Sequence, residues 1–128
     1  MTEKKYLIQD IEPAAAGDLL AIAQDIKTSG YRLGQACATL TPDADELVVM
    51  YTFEKDNVLK NYQVTIDAKA PELQSITAIF PYAFIYENEM HDLFGIVFKN
   101  LTLDYHGKYI VLAKPAPCNP SLEQGGEN

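Results

Sequence analysis

Three consecutive segments of the sequence have the composition of β-strands and are separated by short turns. β-Branched and aromatic residues dominate the second segment and recur in the third, as on a pleated and largely buried surface. The turns contain Pro42, Asp43, Asp56 and Asn57, residue types that fix φ or bond the local backbone. Because strands joined by such turns pair with their neighbours, the sequence predicts an antiparallel meander. Its strands are expected at 31–41, 47–54 and 58–67.

Two helices are predicted, one before and one after this meander. The first covers 13–29, where Pro13 suits a first-turn position and Gly30 suits the left-handed residue after the last turn. Apolar residues recur within it at helical spacing, namely Leu19, Ile22, Ala23 and Ile26. The second covers 81–94 and ends at Gly95. Its predicted apolar stripe consists of Tyr82, Tyr86, Met90 and Leu93, with Phe94 beside it.

The remaining segments are short. A turn of helix is expected at 71–74, and short strands at 75–80, 96–98 and within 101–112, with a turn at His106–Gly107. Because helices and strands come in separate runs, the predicted class is α+β: a mostly antiparallel sheet with both helices packed on one face. Residues 1–112 are expected to form one domain. The proline-rich tail, residues 113–128, is expected to be extended or disordered.

The charge of the chain excludes some partners. Eighteen acidic and ten basic residues give a formal net charge of −8, which opposes nucleic acid, since cations must neutralise its phosphates. It equally opposes direct docking on an anionic membrane. The first residues lack the apolar run of a secretory leader, and no apolar run reaches the length of a spanning helix. The expected location is therefore the cytoplasm.

Several kinds of cofactor site lack support in the sequence. The two cysteines, Cys37 and Cys118, are isolated, whereas iron–sulfur clusters need several closely spaced ones. Cys37 is expected to be a buried thiol and Cys118 a thiol of the tail. The glycine-rich nucleotide-binding motifs and the GxSxG nucleophile motif are absent from the sequence. Catalysis by this chain alone is therefore not expected.

The second predicted helix carries a dense group of polar residues with four interpretations. Glu87, Glu89, His91 and Asp92 are possible metal ligands, although the spacings of zinc proteases and di-iron bundles are missing. Two carboxylates in one cleft would instead suit acid/base catalysis. A third interpretation is a solvated acidic face over an apolar stripe. The fourth is an interface helix whose carboxylates meet Arg or Lys of another subunit.

The segment ENEMHDLFGIVF resembles the signature of the 30 kDa subunit family of NADH dehydrogenase. That signature reads Glu-Arg-Glu, two variable residues and Asp-Leu-Phe-Gly, and then continues to an apolar residue and Phe. The family's arginine is replaced here by Asn88 and its usual aromatic residue by His91. The resemblance extends over about residues 13–100. The matching positions are Glu87, Glu89, Asp92, Leu93, Phe94, Gly95 and Phe98.

The resemblance implies a non-catalytic structural subunit on the hydrophilic arm of a larger redox complex. Such a subunit packs on the large catalytic subunit, near the small iron–sulfur subunit, and supports electron transfer without a cofactor, metal or catalytic residue of its own. The seven matching residues would then form the partner interface, and membrane contact would be indirect, at the cytoplasmic side. The short tail, Asn88 and residues 100–109 look more like the matching subunit of Ech-type energy-converting [NiFe] hydrogenases.

An alternative from another functional class stays open. In this interpretation the chain is a stand-alone binding domain or a small metal-dependent enzyme that uses Glu87, His91 and Asp92. It predicts that these three side chains converge on one pocket.

Overall fold

The computed structural model describes residues 8–106, 108–109 and 114–122. Its strands and helices follow one another in this order: β1 Ile8–Pro13, a 3-10 turn Ala16–Asp18, α1 Leu19–Thr28, β2 Arg32–Leu40, β3 Glu46–Lys55, β4 Val58–Asp67, β5 Glu72–Gln74, α2 Ala83–Phe94 and β6 Val97–Lys99.

The predicted meander is confirmed. β2, β3 and β4 pair antiparallel in a four-stranded sheet of order β1-β4-β3-β2. Lys55 and Val58 are register partners, and the two residues between them, Asp56 and Asn57, have φ values of 52° and 68°. Both are therefore left-handed, as the tightest hairpin turns require. The β2–β3 turn is held by Asp43, whose Oδ1 accepts bonds from the Thr41 hydroxyl and the Asp45 N–H.

The first helix starts later than predicted, and a strand precedes it. Residues 13–15 are not helical; instead Pro13 ends β1, which runs parallel to β4 with Pro13 opposite Gln63. The Ala14 N–H donates to Gln63 O at 2.8 Å. Proline lacks an N–H, but it is tolerated on an edge strand such as β1. The parallel partner lies far along the sequence, so no local pattern indicated this strand.

The end of α1 is as predicted. Gly30 has φ 91°, and its N–H bonds Lys27 O while the Tyr31 N–H bonds Ile26 O. These two bonds form a Schellman motif, which satisfies carbonyls that the last turn leaves unpaired. The chain is thereby redirected at once into β2.

One hydrophobic core lies between the sheet and both helices. On β3 the residues that face it alternate, and Leu47, Val49, Tyr51 and Phe53 are all fully buried. Helix α1 contributes Leu19, Ala23 and Ile26, and α2 contributes Ala83 and Met90. The predicted α+β class, with a mostly antiparallel sheet and both helices on one face, is confirmed. Cys37 was expected to be buried but is exposed, on the edge strand β2.

The predictions for residues 71–80 were wrong in both parts. Residues 72–74 are the strand β5, which pairs parallel with β6 in a second, two-stranded sheet. Residues 75–80 are a loop, since Ile79 N–H and Phe80 N–H both bond Ile76 O. The Ser75 hydroxyl also accepts the Thr77 N–H at 3.0 Å. Serine and threonine that bond the nearby backbone in this way compete with strand formation.

The C-terminal region is described in part. No strand is present in the described residues of 101–112; Gly107 of the predicted turn and residues 110–112 of the predicted strand lie outside them. Of the predicted tail, residues 114–122 are described, and residues 113 and 123–128 are not. The division into a domain of 1–112 and a tail therefore stays a prediction. In the described part of the chain, no helix has both the length and the apolar character needed to cross a membrane.

Candidate functional site

Helix α2 carries most of the signature segment and lies over β2. It is buried on two sides: Ala83, Glu87 and Met90 face the sheet, whereas Asn88 and Asp92 are buried on another side. The predicted apolar stripe is therefore only partly correct. Met90 is 2% exposed, but Tyr82 is 77% exposed. The sheet-facing side is built around a carboxylate instead.

Glu87 is fully enclosed and accepts three hydrogen bonds. Its Oε2 accepts the Tyr51 hydroxyl at 2.7 Å and the Ile76 N–H at 3.1 Å. Its Oε1 accepts the Ser75 hydroxyl at 2.6 Å. The carboxylate thus ties the middle of β3 and the 75–80 loop to α2. An enclosed carboxylate needs such partners, because burying it without them costs several kcal/mol.

The environment of Glu87 disfavours its charge. Burial is the largest effect and raises the pKa of Glu87 above its usual value, although the bonds from Ser75, Tyr51 and Ile76 act in the opposite direction. Burial, followed by the neighbouring Glu87 carboxylate, raises the pKa of Tyr51 far above its usual value. The Tyr51 hydroxyl therefore stays protonated and donates to Glu87.

Asn88 connects α2 to the segment that follows β6. Its amide nitrogen donates to Phe84 O at 2.8 Å and to Leu103 O at 2.7 Å. Its amide oxygen accepts the Tyr105 N–H at 3.0 Å. Asn88 is fully buried. Where the family signature has arginine, this chain therefore has an internal amide that fixes a neighbouring segment.

The three residues of the metal-site alternative do not converge. Glu87 faces Tyr51 on the sheet, whereas His91 Nδ1 is paired with Ile96 O at 2.8 Å. Asp92 is 3% exposed and lies on the other buried side of the helix. Within residues 8–106, 108–109 and 114–122, no group of three or more His, Cys, Asp or Glu side chains is arranged to hold a metal.

The C-terminal end of α2 is covered by residues 114–122. Gly95 has φ 77°, and its N–H donates to His91 O at 2.8 Å. The Cys118 N–H donates to Leu93 O at 2.8 Å. A Cβ on Gly95 would lie only 2.6 Å from Leu122 Cδ2. The signature glycine therefore provides both a left-handed turn and room for the covering segment.

Asn119 fixes this covering segment to the domain. Its side chain is 1% exposed, and its amide nitrogen donates to Ala68 O and Phe94 O, both at 2.9 Å. The Ser121 hydroxyl donates to Ala44 O. The end of α2 and two loops beside the sheet are thus joined by one segment.

Three signature side chains reach the surface at least in part. Glu89 is exposed, and Leu93 and Phe94 are half-buried. With Ala36, Cys37 and Ala38 of β2 they line a groove of about 250 Å³. The other signature residues are enclosed or partly enclosed: Glu87, Asp92 and Phe98 are buried, and Gly95 lies beneath Leu122.

Several residues of this site were not found from the sequence. From the sequence, Tyr51 and Ser75 fall in predicted strands and Asn119 in the predicted tail. Only their three-dimensional proximity to α2 reveals their roles. For Ser75 and Thr77 a weak signal was present, since two hydroxyl residues spaced by one favour a local turn. Asn119 gave no comparable signal.

Comparisons with known proteins support one family. The family model described as "Respiratory-chain NADH dehydrogenase, 30 Kd subunit" matches residues 10–106. A solved chain of the membrane-bound sulfane sulfur reductase, an archaeal respiratory membrane complex, has a similar fold. Its TM-score is 0.76 at 18% identity, over 92% of this chain and 72% of that one.

A second solved structure has the same fold. It is a trypsin-resistant fragment of Nqo5, with a TM-score of 0.63 at 20% identity, over 71% of this chain and 79% of that one. At these identities both structures are evidence of the fold alone. No curated protein matches the chain in sequence.

Proposed function

Because the chain belongs to the family of the 30 Kd subunit of respiratory-chain NADH dehydrogenase, we propose that it is a non-catalytic structural subunit of a complex I-like oxidoreductase or an energy-converting hydrogenase. It packs on the large catalytic subunit of the hydrophilic arm, near the small iron–sulfur subunit. It supports electron transfer by positioning these partners and needs no cofactor of its own. Its contact with the membrane, at the cytoplasmic side, is indirect.

The division of the signature residues supports this proposal. Glu87 and Asp92 are enclosed by their own chain, whereas Glu89, Leu93 and Phe94 reach the surface beside β2. The hydrogen bonds of Glu87 hold α2 in place, and the exposed residues present a carboxylate next to an apolar groove. Direct contact with the large subunit is therefore assigned to Glu89, Leu93 and Phe94, and a supporting role to the buried signature residues.

The chemistry of this surface suits a cationic partner. The exposed carboxylate of Glu89 borders a groove whose walls are mainly apolar. A typical protein interface has such a composition, with an apolar centre and a polar rim that selects the partner by charge. An Arg or Lys of the large subunit would pair with Glu89 while an apolar side chain enters the groove.

Substitution of Glu89 tests the proposal. We expect Glu89→Lys to lower the affinity for the large subunit by about tenfold or more, because like charges are brought together. Asp25→Lys is the matched control, an exposed carboxylate on α1 with the same change of charge. Co-purification and unfolding in urea measure assembly and stability separately. Normal assembly of the Glu89→Lys and Leu93→Ser variants would contradict the proposed surface.

The parent complex is tested by the reading frames beside this one. A neighbouring large subunit with paired CxxC motifs near both ends would assign the chain to a hydrogenase. A neighbouring large subunit without these motifs would leave a quinone-linked dehydrogenase or a related complex with another electron acceptor.

A further inference from the structure

A second groove lies at the other end of α2, away from the signature residues. It has a volume of about 640 Å³ and is lined by the end of α1, the start of β2 and the loop before α2. Phe80 forms its buried floor, and Tyr82 stands at its rim with 77% of its surface exposed. The residues that define this basic groove are Lys27, Tyr31, Arg32, Phe80, Pro81 and Tyr82.

Lysines around the basic groove are held by carbonyls and aromatic rings. Lys27 Nζ donates to Ile79 O at 2.9 Å and lies 5.4 Å from the centre of the Phe80 ring. Lys55 Nζ donates to Ser29 O at 2.7 Å and lies 5.8 Å from the Tyr31 ring centre. Such contacts order a lysine side chain without neutralising its charge.

A third lysine shares the Tyr31 ring. Lys60 Nζ lies 5.5 Å from its centre. Asp10 is the register partner of Lys60 in the β1–β4 pair. Among the residues that the structure describes, however, no carboxylate oxygen is within ion-pair distance of Lys27, Lys55 or Lys60. None of the three ammonium groups is therefore held in an ion pair within the described residues, and each is available to a carboxylate from outside.

Arg32 adds a fourth cation with a fixed orientation. Its Nε donates to Glu54 Oε1 at 2.6 Å, while its side chain is 80% exposed. Its terminal amino groups have no partner among the described residues. A guanidinium oriented in this way can still receive a carboxylate with two parallel hydrogen bonds.

The location of these cations contrasts with the charge of the chain. The chain has only ten basic residues and a net charge of −8. Two of the ten, Lys27 and Arg32, line this groove, and Lys55 and Lys60 lie over the ring of Tyr31, which also lines it. Exposed aromatic residues together with arginine are characteristic of the energetically important centres of protein interfaces. The groove thus combines positive charge with an aromatic floor.

From this combination we infer that the basic groove binds an acidic segment of a neighbouring protein subunit. Carboxylates of that segment pair with Arg32 and the three lysines, and an apolar side chain packs against Phe80 and Tyr82. The inference rests on the proposed function in one respect: the segment belongs to a subunit of the same complex. It adds a second contact surface with the opposite charge preference from the surface around Glu89.

A carbodiimide cross-linking experiment on the intact complex tests the inference directly. This reagent joins an amine only to a carboxylate in contact with it. We expect cross-links from Lys27, Lys55 or Lys60 to Asp or Glu of another subunit. Replacement of these lysines by arginine should abolish the cross-links and preserve assembly, since arginine keeps the charge without reacting. If all three lysines form no intersubunit cross-link, the inference is overturned.

Charge reversal provides a second test and separates the possible outcomes. The double variant Lys27→Glu/Arg32→Glu should lower the affinity for the neighbouring subunit by about tenfold or more, and Lys69→Glu is the control for a charge change elsewhere on the surface.

If the wild-type chain joins the complex and the double variant does so equally well, the groove inference fails while the proposed function stands. If the wild-type chain joins no such complex, both fail. A lipid ligand is the other outcome. If the wild-type chain binds phosphatidylserine vesicles, the double variant does not, and no intersubunit cross-links form, the groove binds lipid and the inference is overturned.

Discussion

Two glutamates of α2, separated by one residue, occupy opposite environments. Glu87 accepts bonds from Tyr51, Ser75 and Ile76 inside the protein, whereas Glu89 is exposed at the rim of a groove. On a helix, residues two apart point to nearly opposite sides. The same residue type therefore stabilises the interior at one position and is available to a partner at the other.

Removal of the Glu87 side chain should destabilise the isolated protein. In Glu87→Ala the Tyr51 hydroxyl, the Ser75 hydroxyl and the Ile76 N–H all lose their acceptor, so we expect a loss of about 3 kcal/mol or more in the free energy of unfolding. Urea denaturation followed by circular dichroism measures this loss. Glu89→Ala is the control and should change stability by less than about 0.5 kcal/mol. Equal stability of the two variants would show that the internal bonds contribute little.

The stability of the protein should also depend on the titration of Glu87. Because burial raises the pKa of Glu87 in the folded state, the folded state keeps a proton that the unfolded state has released at pH values between the two pKa values. The contribution of this group to stability is therefore full below its unfolded pKa and declines as pH rises through the folded pKa. We expect the stability advantage of wild type over Glu87→Gln to be larger near pH 4.5, the unperturbed value, than at neutral pH. Unfolding curves of both proteins across this range measure it, and an advantage that grows with pH would refute it.

The end of α2 and the segment 114–122 depend on each other. Leu93 O accepts the Cys118 N–H, Phe94 O accepts the Asn119 amide, and Leu122 packs where a Cβ of residue 95 would lie. The last carbonyls of a helix have no intrahelical partners. In this protein the covering segment supplies some of these partners, so the helix end and the covering segment should unfold together.

A double-mutant cycle at Gly95 and Leu122 tests this dependence. Gly95→Ala should destabilise the protein by about 1–2 kcal/mol through the left-handed φ alone, and by more through the clash with Leu122. Leu122→Ala should therefore cost less in the Gly95→Ala background than in wild type. Thermal or urea unfolding of the four proteins gives the coupling energy. Gly30→Ala is a useful comparison, because Gly30 has φ 91° without a comparable side-chain clash.

Local signals predicted the parts of the fold that form locally, whereas pairings of residues distant in sequence were missed. The β3–β4 hairpin was found because its turn residues, Asp56 and Asn57, lie between two strand-like segments. β1 and β5 were missed because each becomes a strand only through a parallel partner elsewhere in the chain. Residues 75–80 look like a strand in composition, but the loop is fixed by Glu87, a later residue.

The signature segment predicted the family correctly, whereas the orientation of α2 was predicted only in part. The interface role of the seven signature residues stays a prediction. Helical periodicity predicted that Tyr82 faces the core, yet Tyr82 is exposed. The buried side of α2 contains Glu87, and a pattern based on hydrophobicity assigns a glutamate to the exposed side. Hydrogen bonds offset part of the cost of burying that carboxylate. They come from Tyr51, Ser75 and Ile76, which sequence patterns do not connect to Glu87.

The protein as a whole should be most stable in the centre of its main sheet. β3 lies between two strands and carries four fully buried core residues, whereas β5 and β6 form a separate pair of three residues each. In hydrogen exchange of the isolated chain, β3 amides should exchange at least about 100-fold more slowly than those of β6. Addition of the partner complex should slow exchange in α2 without changing this order. Exchange in β6 that is as slow as in β3 would contradict the prediction.

The enclosure of Glu87 bears on how relatives of this protein can diverge. A carboxylate buried inside the domain needs the same internal hydrogen-bond donors whichever subunit lies next to the protein. Glu87 can therefore stay the same while the exposed residues of α2 change. Chimaeras that keep residues 75, 87 and 95 and exchange only outward side chains of α2 should thus redirect a subunit to a foreign complex without loss of its own architecture.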